Sequence, residues 1–106
     1  MNIQIRERNV DVSEVLRSHV VRRLGFALSR FGERIGRVTV RFSDGGNGGG
    51  VDKRCQINVG LRPKSVRVED TDIDLFVAVD NAANRVSRSV ARALERERAW
   101  EGNGSS

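Results

Sequence analysis

The sequence is poor in the residue types that catalysis and disulfide stabilisation most often use. Its 106 residues include one cysteine, one histidine, one proline and no tyrosine. A single cysteine excludes an internal disulfide framework. One cysteine and one histidine also fall short of the usual ligand set of a metal cluster. We therefore predict a protein without metal or other cofactor.

Long apolar runs are missing as well. The first ten residues, MNIQIRERNV, lack the apolar segment of a signal peptide, and no run approaches the length of a membrane span. Together with the lone cysteine, this predicts a cytoplasmic location and no membrane-spanning segment. A chain of this length is expected to form one domain, residues 1–101, followed by a disordered tail, residues 102–106.

Lysine is scarce, so arginine carries most of the positive charge. The formal net charge is +5 and the pI is about 10.9. The planar guanidinium suits phosphate because it donates two parallel hydrogen bonds. This excess on a small domain indicates a polyanionic partner, either nucleic acid or an anionic membrane surface. A GC-rich genome that favours arginine codons explains part of the count but not the clustering.

The clustering is clearest in the closing segment NRVSRSVARALERER, residues 84–98. At helical spacing one stripe is apolar and is predicted to be buried: Phe76, Val79, Ala83, Val86, Val90 and Leu94. A second stripe, about 145° away on the helical wheel, is positive: Arg85, Arg88, Arg92 and Arg96. A solvated outer face is the simpler reading. Few acids interrupt this row, which favours a polyanion-binding face.

A first amphipathic helix is predicted from Ser13, its N-cap, to about Phe31. Its apolar stripe is Leu16, Val20, Leu24, Ala27, Leu28 and Phe31. It contributes four further candidate RNA-binding residues: Arg22, Arg23, Arg30 and Arg34. Two aligned helices with basic outer edges are expected to form a groove that follows phosphates.

Alternating apolar and polar residues predict strands at Met1–Arg6 and in the stretches GRVTVRFS, RCQINVGLR and SVRVE. The closing helix is predicted to begin at Asp72 or Asp74. The order is β-α-β-β-β-α, an α+β fold. We expect a four-stranded mixed sheet, with its first two strands parallel and both helices packed on one face.

Other candidate sites are explained more simply by structure. Cys55 falls on the inward side of its strand and is expected to be an inert core residue. The acids of EDTDID lack the pattern of a calcium loop and are expected to cap the closing helix. The stretch DGGNGGGVD is predicted to be a flexible strand connection, because no phosphate-loop lysine follows it.

Three stretches carry a resemblance to a known family. NVDVSEVLRSHVVRRL, RFGERIGRVTVRF and DIDLFVAVDNAANRVSRSVARAL resemble, in this order, segments of the ribosome hibernation promoting factors, which include the ribosome-associated inhibitor of translation. Asp74, Phe76, Ala78, Val79 and Asp80 match the family's Asp-x-aromatic-x-Ala-Ile-Asp pattern. Phe76 replaces its usual tyrosine and Arg85 its usual lysine. An older label, modulator of an alternative sigma factor, belongs to the same family.

The resemblance implies a non-enzymatic protein of the short form, without an additional dimerisation domain and monomeric when free. It implies binding of the small ribosomal subunit and its rRNA in the mRNA and tRNA channel, through both basic helices. It also implies inhibition of translation in stationary phase or stress, with no membrane partner and no small-molecule substrate. Arg6 and Arg67, predicted on the opposite side of the sheet, are expected to contribute much less.

Two alternatives stay open at this level. One is a general double-stranded RNA-binding module, a fold that also packs two helices on one face of a sheet. It would bind a plain duplex as well as it binds ribosomes. The other is a small enzyme that uses Cys55, or Asp72 with Asp74. A Cys55→Ala variant with full function would exclude its thiol version.

Overall fold

The structure, a computed structural model, describes residues 1–44 and 52–104. The elements follow the predicted order: β1 (Asn2–Arg8), α1 (Glu14–Leu28), β2 (Arg37–Asp44), β3 (Lys53–Gly60), β4 (Ser65–Asp72) and α2 (Leu75–Gly104). A 3-10 segment, Ser29–Arg34, follows α1. The glycine-rich connection between β2 and β3 lies mostly outside the described residues. Within them, no helix is long and apolar enough to cross a bilayer.

The strands form one four-stranded sheet in the order β1-β2-β3-β4. β1 and β2 are parallel, and both other pairs are antiparallel. The parallel pair is possible because α1 supplies a connection long enough to return the chain to the same end of the sheet. The predicted mixed sheet is confirmed.

One face of the sheet packs against both helices. Val38, Val40 and Phe42 of β2 lie opposite Val59, Ile57 and Cys55 of β3, and all are buried. The helices complete the same core with Leu16, Val20, Leu24, Leu28, Ala78, Val79, Ala82, Ala83, Val86 and Val90. Alanines on α2 allow its backbone to approach the sheet closely. The predicted buried stripes are confirmed, with Ala27 and Phe31 of the first stripe and Phe76 and Leu94 of the second partly buried at the margin.

The helix boundaries follow their caps. Ser13 Oγ accepts a hydrogen bond from the Leu16 amide at 3.1 Å, as predicted. Of the two candidate starts for α2, the structure uses Asp74, whose Oδ1 accepts from the Phe76 amide at 2.9 Å. α1 ends at Leu28, before the predicted Phe31, and the chain continues as the 3-10 segment, in which Gly32 adopts a φ of 56°.

β4 runs on to Asp72, through acids that were expected only to cap the helix. Asp70 points to the helix side and is only 11% exposed in its side chain. Its carboxylate lies 3.4 Å from Arg85 Nη2 and accepts a hydrogen bond from Asn81 Nδ2 at 3.2 Å. These partners compensate an acid at an inward strand position. The described residues contain no group of acids, histidine and cysteine arranged to hold a metal ion.

Candidate nucleic-acid interface

A groove of about 610 Å³ opens between the two helices. Arg23, Phe26 and Ala27 of α1, with Arg30 just beyond it, line one wall, and Asn84, Ser87 and Arg88 of α2 line the other. No strand residue contributes to this lining, so the groove faces away from the sheet. The two predicted basic helices therefore line one shared groove.

Polar contacts near the start of the groove join the helices. His19 donates from Nε2 to Asp80 Oδ1 at 2.7 Å. Arg23 Nε lies 3.0 Å from the same oxygen, an ionic contact without hydrogen-bond alignment. Arg23 Nη2 also donates to Asn84 Oδ1 at 3.3 Å. The Asp80 carboxylate of α2 thus contacts two side chains of α1, those of His19 and Arg23.

Similar contacts join the helices further along. Arg34 Nη2 approaches both carboxylate oxygens of Glu97, at 2.7 and 2.8 Å. Arg30 donates to Ser87 Oγ at 3.3 Å and lies over the Phe31 ring, 4.6 Å from its centroid. A guanidinium has five N–H donors, so Arg30, which donates to one hydroxyl, retains donors for a further ligand. Arg23, Arg30 and Arg34 both link the helices and present positive charge.

The outer surface of the helices carries a second set of arginines. Arg22, Arg88, Arg92 and Arg96 are exposed, and none has a carboxylate partner among the residues that the structure describes. The three on α2 are four residues apart, so they repeat about every 6 Å along the helix. This row is open to an external anion along its length.

Arg85 differs from the rest of the predicted α2 row. Its Nη1 donates to the Glu69 carbonyl oxygen at 2.8 Å, and its Nη2 lies 3.4 Å from Asp70. Both contacts are to β4, at the side of α2 away from α1. The structure therefore places Arg85 beside β4. Arg88, Arg92 and Arg96 form the part of the predicted row that is open to an external anion, the open row.

Phe26 is a residue of this surface that the sequence analysis did not identify. Its side chain is 82% exposed, although it lines the groove together with three arginines. It lies outside the apolar stripe of α1, one helical turn after Arg22. The sequence could have identified Phe26, because it is an aromatic residue outside the buried stripe and close to several arginines. Aromatic side chains and arginine together bind bases and phosphates.

Cys55 does not form part of any reactive site. Its side chain is fully buried against the helices. Burial raises the pKa of its thiol to about 12, and the negative charge of Asp70 adds to the effect. A thiol with this pKa is not a nucleophile near neutral pH.

Comparison with known proteins identifies the family of this basic α+β domain. Residues 3–98 match the model of the family described as sigma 54 modulation protein / S30EA ribosomal protein. The match covers most of the chain, and the chain belongs to this family of ribosome-associated translation modulators, which are not enzymes.

Solved structures agree with this assignment. The N-terminal domain of Protein Y from Thermus thermophilus is 31% identical, with a TM-score of 0.71, over 87% of this chain and 98% of that one. A ribosomal subunit interface protein from Coxiella burnetii is 19% identical, with a TM-score of 0.78, over 90% and 99% of the two chains. The second likeness supports the fold. Among curated proteins, no match was found.

Proposed function

We propose that this protein binds the small ribosomal subunit through its two helices, in the channel used by mRNA and tRNA, and inhibits translation in stationary phase or stress. The observation that carries the proposal is the open row Arg88, Arg92 and Arg96 beside an arginine-lined groove. Ribosomal RNA supplies the phosphates, and occupation of the channel blocks translation sterically. No bond is made or broken, and the site of action is the cytoplasm.

The arginines divide into two roles in this proposal. Arg22, Arg88, Arg92 and Arg96 are free to contact phosphates, which releases counterions and makes binding dependent on salt. Arg23, Arg30 and Arg34 hold the helices at a fixed separation, and Arg23 and Arg30 also line the groove. Because this spacing is set before binding, little ordering is required when RNA enters.

Phe26 favours unpaired RNA over a plain duplex. Its exposed ring lies between the groove arginines, at the place where an unstacked base would have its phosphates near Arg23 or Arg30. Stacking of a base on an aromatic side chain contributes about 1–3 kcal/mol. In a continuous duplex the bases are already stacked and unavailable to this ring. This distinguishes the proposal from a general double-stranded RNA-binding module.

Sedimentation through sucrose gradients tests the proposal. We expect the protein to migrate with purified small subunits and to stay bound when plain duplex RNA is present in excess. Release by the duplex would support the general RNA-binding alternative. Absence from the small-subunit fractions at low salt would contradict the proposed function itself.

A further inference from the structure

The sheet face opposite the helices is basic, polar and uncovered by any described element. Strand alternation and register place these side chains on it: Asn2, Gln4, Arg6, Arg8, Arg37, Thr39, Arg41, Ser43, Arg54, Gln56, Asn58, Ser65, Arg67, Glu69 and Thr71. The set contains six arginines, one carboxylate and no apolar or aromatic side chain. We propose that this face is a second RNA-binding surface, which holds a single-stranded segment by its phosphates and sugars.

Charge on this face is poorly compensated. Glu69 lies 3.3 Å from Arg54 Nε and is the single acid of the set. The other arginines, Arg6, Arg8, Arg37, Arg41 and Arg67, have no carboxylate partner among the described residues. Codon bias explains arginine in place of lysine, but it does not explain why acids, frequent elsewhere in the chain, are nearly absent from this face.

Arg6 and Arg41 are the clearest sign of an anionic partner. They are direct register partners on β1 and β2, on strands about 4.8 Å apart. Like charges directly opposite each other destabilise a sheet. A phosphate placed between the two guanidinium groups would remove this repulsion, and no protein carboxylate does so among the described residues.

Two adjoining clefts on this face have the lining that a nucleotide chain requires. One, of about 370 Å³, includes Arg6, Arg8 and Arg54 in its walls. Glu7 and Phe42 also border it, but Phe42 is buried and the Glu7 carboxylate accepts from the Val12 amide and lies 3.7 Å from Arg17. The next, of about 470 Å³, includes Thr39, Asn58 and Arg67. Arg41 and Gln56 line both clefts. Arginine, amide and hydroxyl side chains are the groups that proteins use to contact phosphate and sugar.

The same lining distinguishes RNA from the other polyanions. A membrane-binding face usually adds apolar side chains that enter the lipid, and this face has none. Without aromatic residues the bases have no ring to stack on, so binding is expected to be independent of sequence. A stiff duplex cannot bend into both clefts, whereas a flexible single strand can follow them. Because the helices cover the other side, the domain can hold RNA on two sides.

The test uses the full chain with Phe26→Ala, Arg88→Gln, Arg92→Gln and Arg96→Gln, which weakens the helix site, as the reference protein. Its binding to a short fluorescent oligouridylate is followed by anisotropy across a salt series, and the sheet substitutions are added to it. The sheet variant, Arg6→Gln, Arg41→Gln and Arg67→Gln, is expected to lose at least about tenfold in affinity. Its salt slope should fall by about 2, at about 0.7 per lost phosphate contact on single strands. Its melting temperature should be unchanged or higher, since the Arg6–Arg41 repulsion is gone. Glu69→Gln, which removes the carboxylate paired with Arg54, should bind more tightly.

Three results would overturn the inference. The first is equal affinity for oligouridylate with and without the sheet substitutions at every salt concentration. The second is tighter binding of duplex than of oligouridylate by the reference protein. The third is that the sheet substitutions abolish binding to phosphatidylserine vesicles without weakening RNA binding. If the triple variant does not fold, Arg67→Gln and Glu69→Gln alone must still shift affinity in opposite directions. The proposed function fails separately, through loss of small-subunit binding by wild type, so the two failures are distinguishable.

Discussion

Asp80 of α2 accepts a hydrogen bond at 2.7 Å from His19 of α1, and the histidine ring lies 5.1 Å from that of Phe76. This pair connects the helices at the start of the groove, beside the ionic contact between Asp80 and Arg23. It explains the single histidine of the chain without catalysis or metal binding. The spacing of the basic surfaces depends on contacts of this kind.

Asp80→Asn is the first prediction. The variant keeps the shape of the side chain but loses the charge that faces His19 and Arg23. Because the site is partly exposed, we expect a loss of about 1 kcal/mol in the free energy of unfolding. Urea unfolding measures it, and Asp11→Asn, an exposed acid, is the matched control with an expected change within about 0.5 kcal/mol. Equal losses in both variants would show that Asp80 does not fasten the helices.

Phe26→Ala separates binding from folding. Since the ring is 82% exposed, its removal should change stability by no more than about 0.5 kcal/mol. Affinity for the small subunit should fall by about 1–3 kcal/mol through lost stacking, and Phe26→Trp should retain it. Val15→Ala, at another exposed apolar position on α1, is the control for general effects on the helix. If Phe26→Ala and Val15→Ala bind equally well, no base stacks on Phe26.

Cys55 gives a prediction about pH. The pKa of its thiol rises from 9.0 to about 12 in the folded chain, so the unfolded chain releases this proton at lower pH. The stability that the buried neutral thiol contributes is therefore complete below pH 9.0 and is lost as pH rises toward 12. Cys55→Ala should show a smaller alkaline loss in urea unfolding. An identical pH dependence in wild type and variant would contradict the assignment.

The same cysteine tests the enzyme alternative. In the native protein the thiol should not react with an aromatic disulfide reagent, and it should react fully after unfolding. Cys55→Ala should also bind small subunits as tightly as wild type, because the side chain lies in the core. Rapid labelling of the native thiol, or loss of binding in the variant, would reopen a functional role for it.

The fold was predictable because each element has a clear pattern. Val38, Val40 and Phe42 alternate in β2, and Ser13 caps a helix whose apolar residues share one stripe. The end of β4 was missed because Asp70 and Asp72 occupy inward positions, where strands usually have apolar residues. Only the position of Arg85 and Asn81 beside β4 shows how Asp70 is compensated.

The sequence predicted which arginines belong to the candidate site, but not which of them link the two helices and which remain without a carboxylate partner. Periodicity placed Arg88, Arg92 and Arg96 on one exposed face. It gave no information on partners from another helix, such as Glu97 for Arg34. Nor did it single out the arginines of the open sheet face, since they are distant in sequence and converge only through the pairing of the strands.

Co-sedimentation with purified small subunits across a salt series tests the central claim most directly, with a variant in which Arg88, Arg92 and Arg96 are replaced by glutamine. We predict thermal melts close to wild type and a loss in affinity of about tenfold or more, roughly 1.4 kcal/mol, with a flatter salt dependence. Arg6→Gln with Arg67→Gln should lose much less. A helix variant that melts normally and binds as tightly as wild type at every salt concentration would contradict the account.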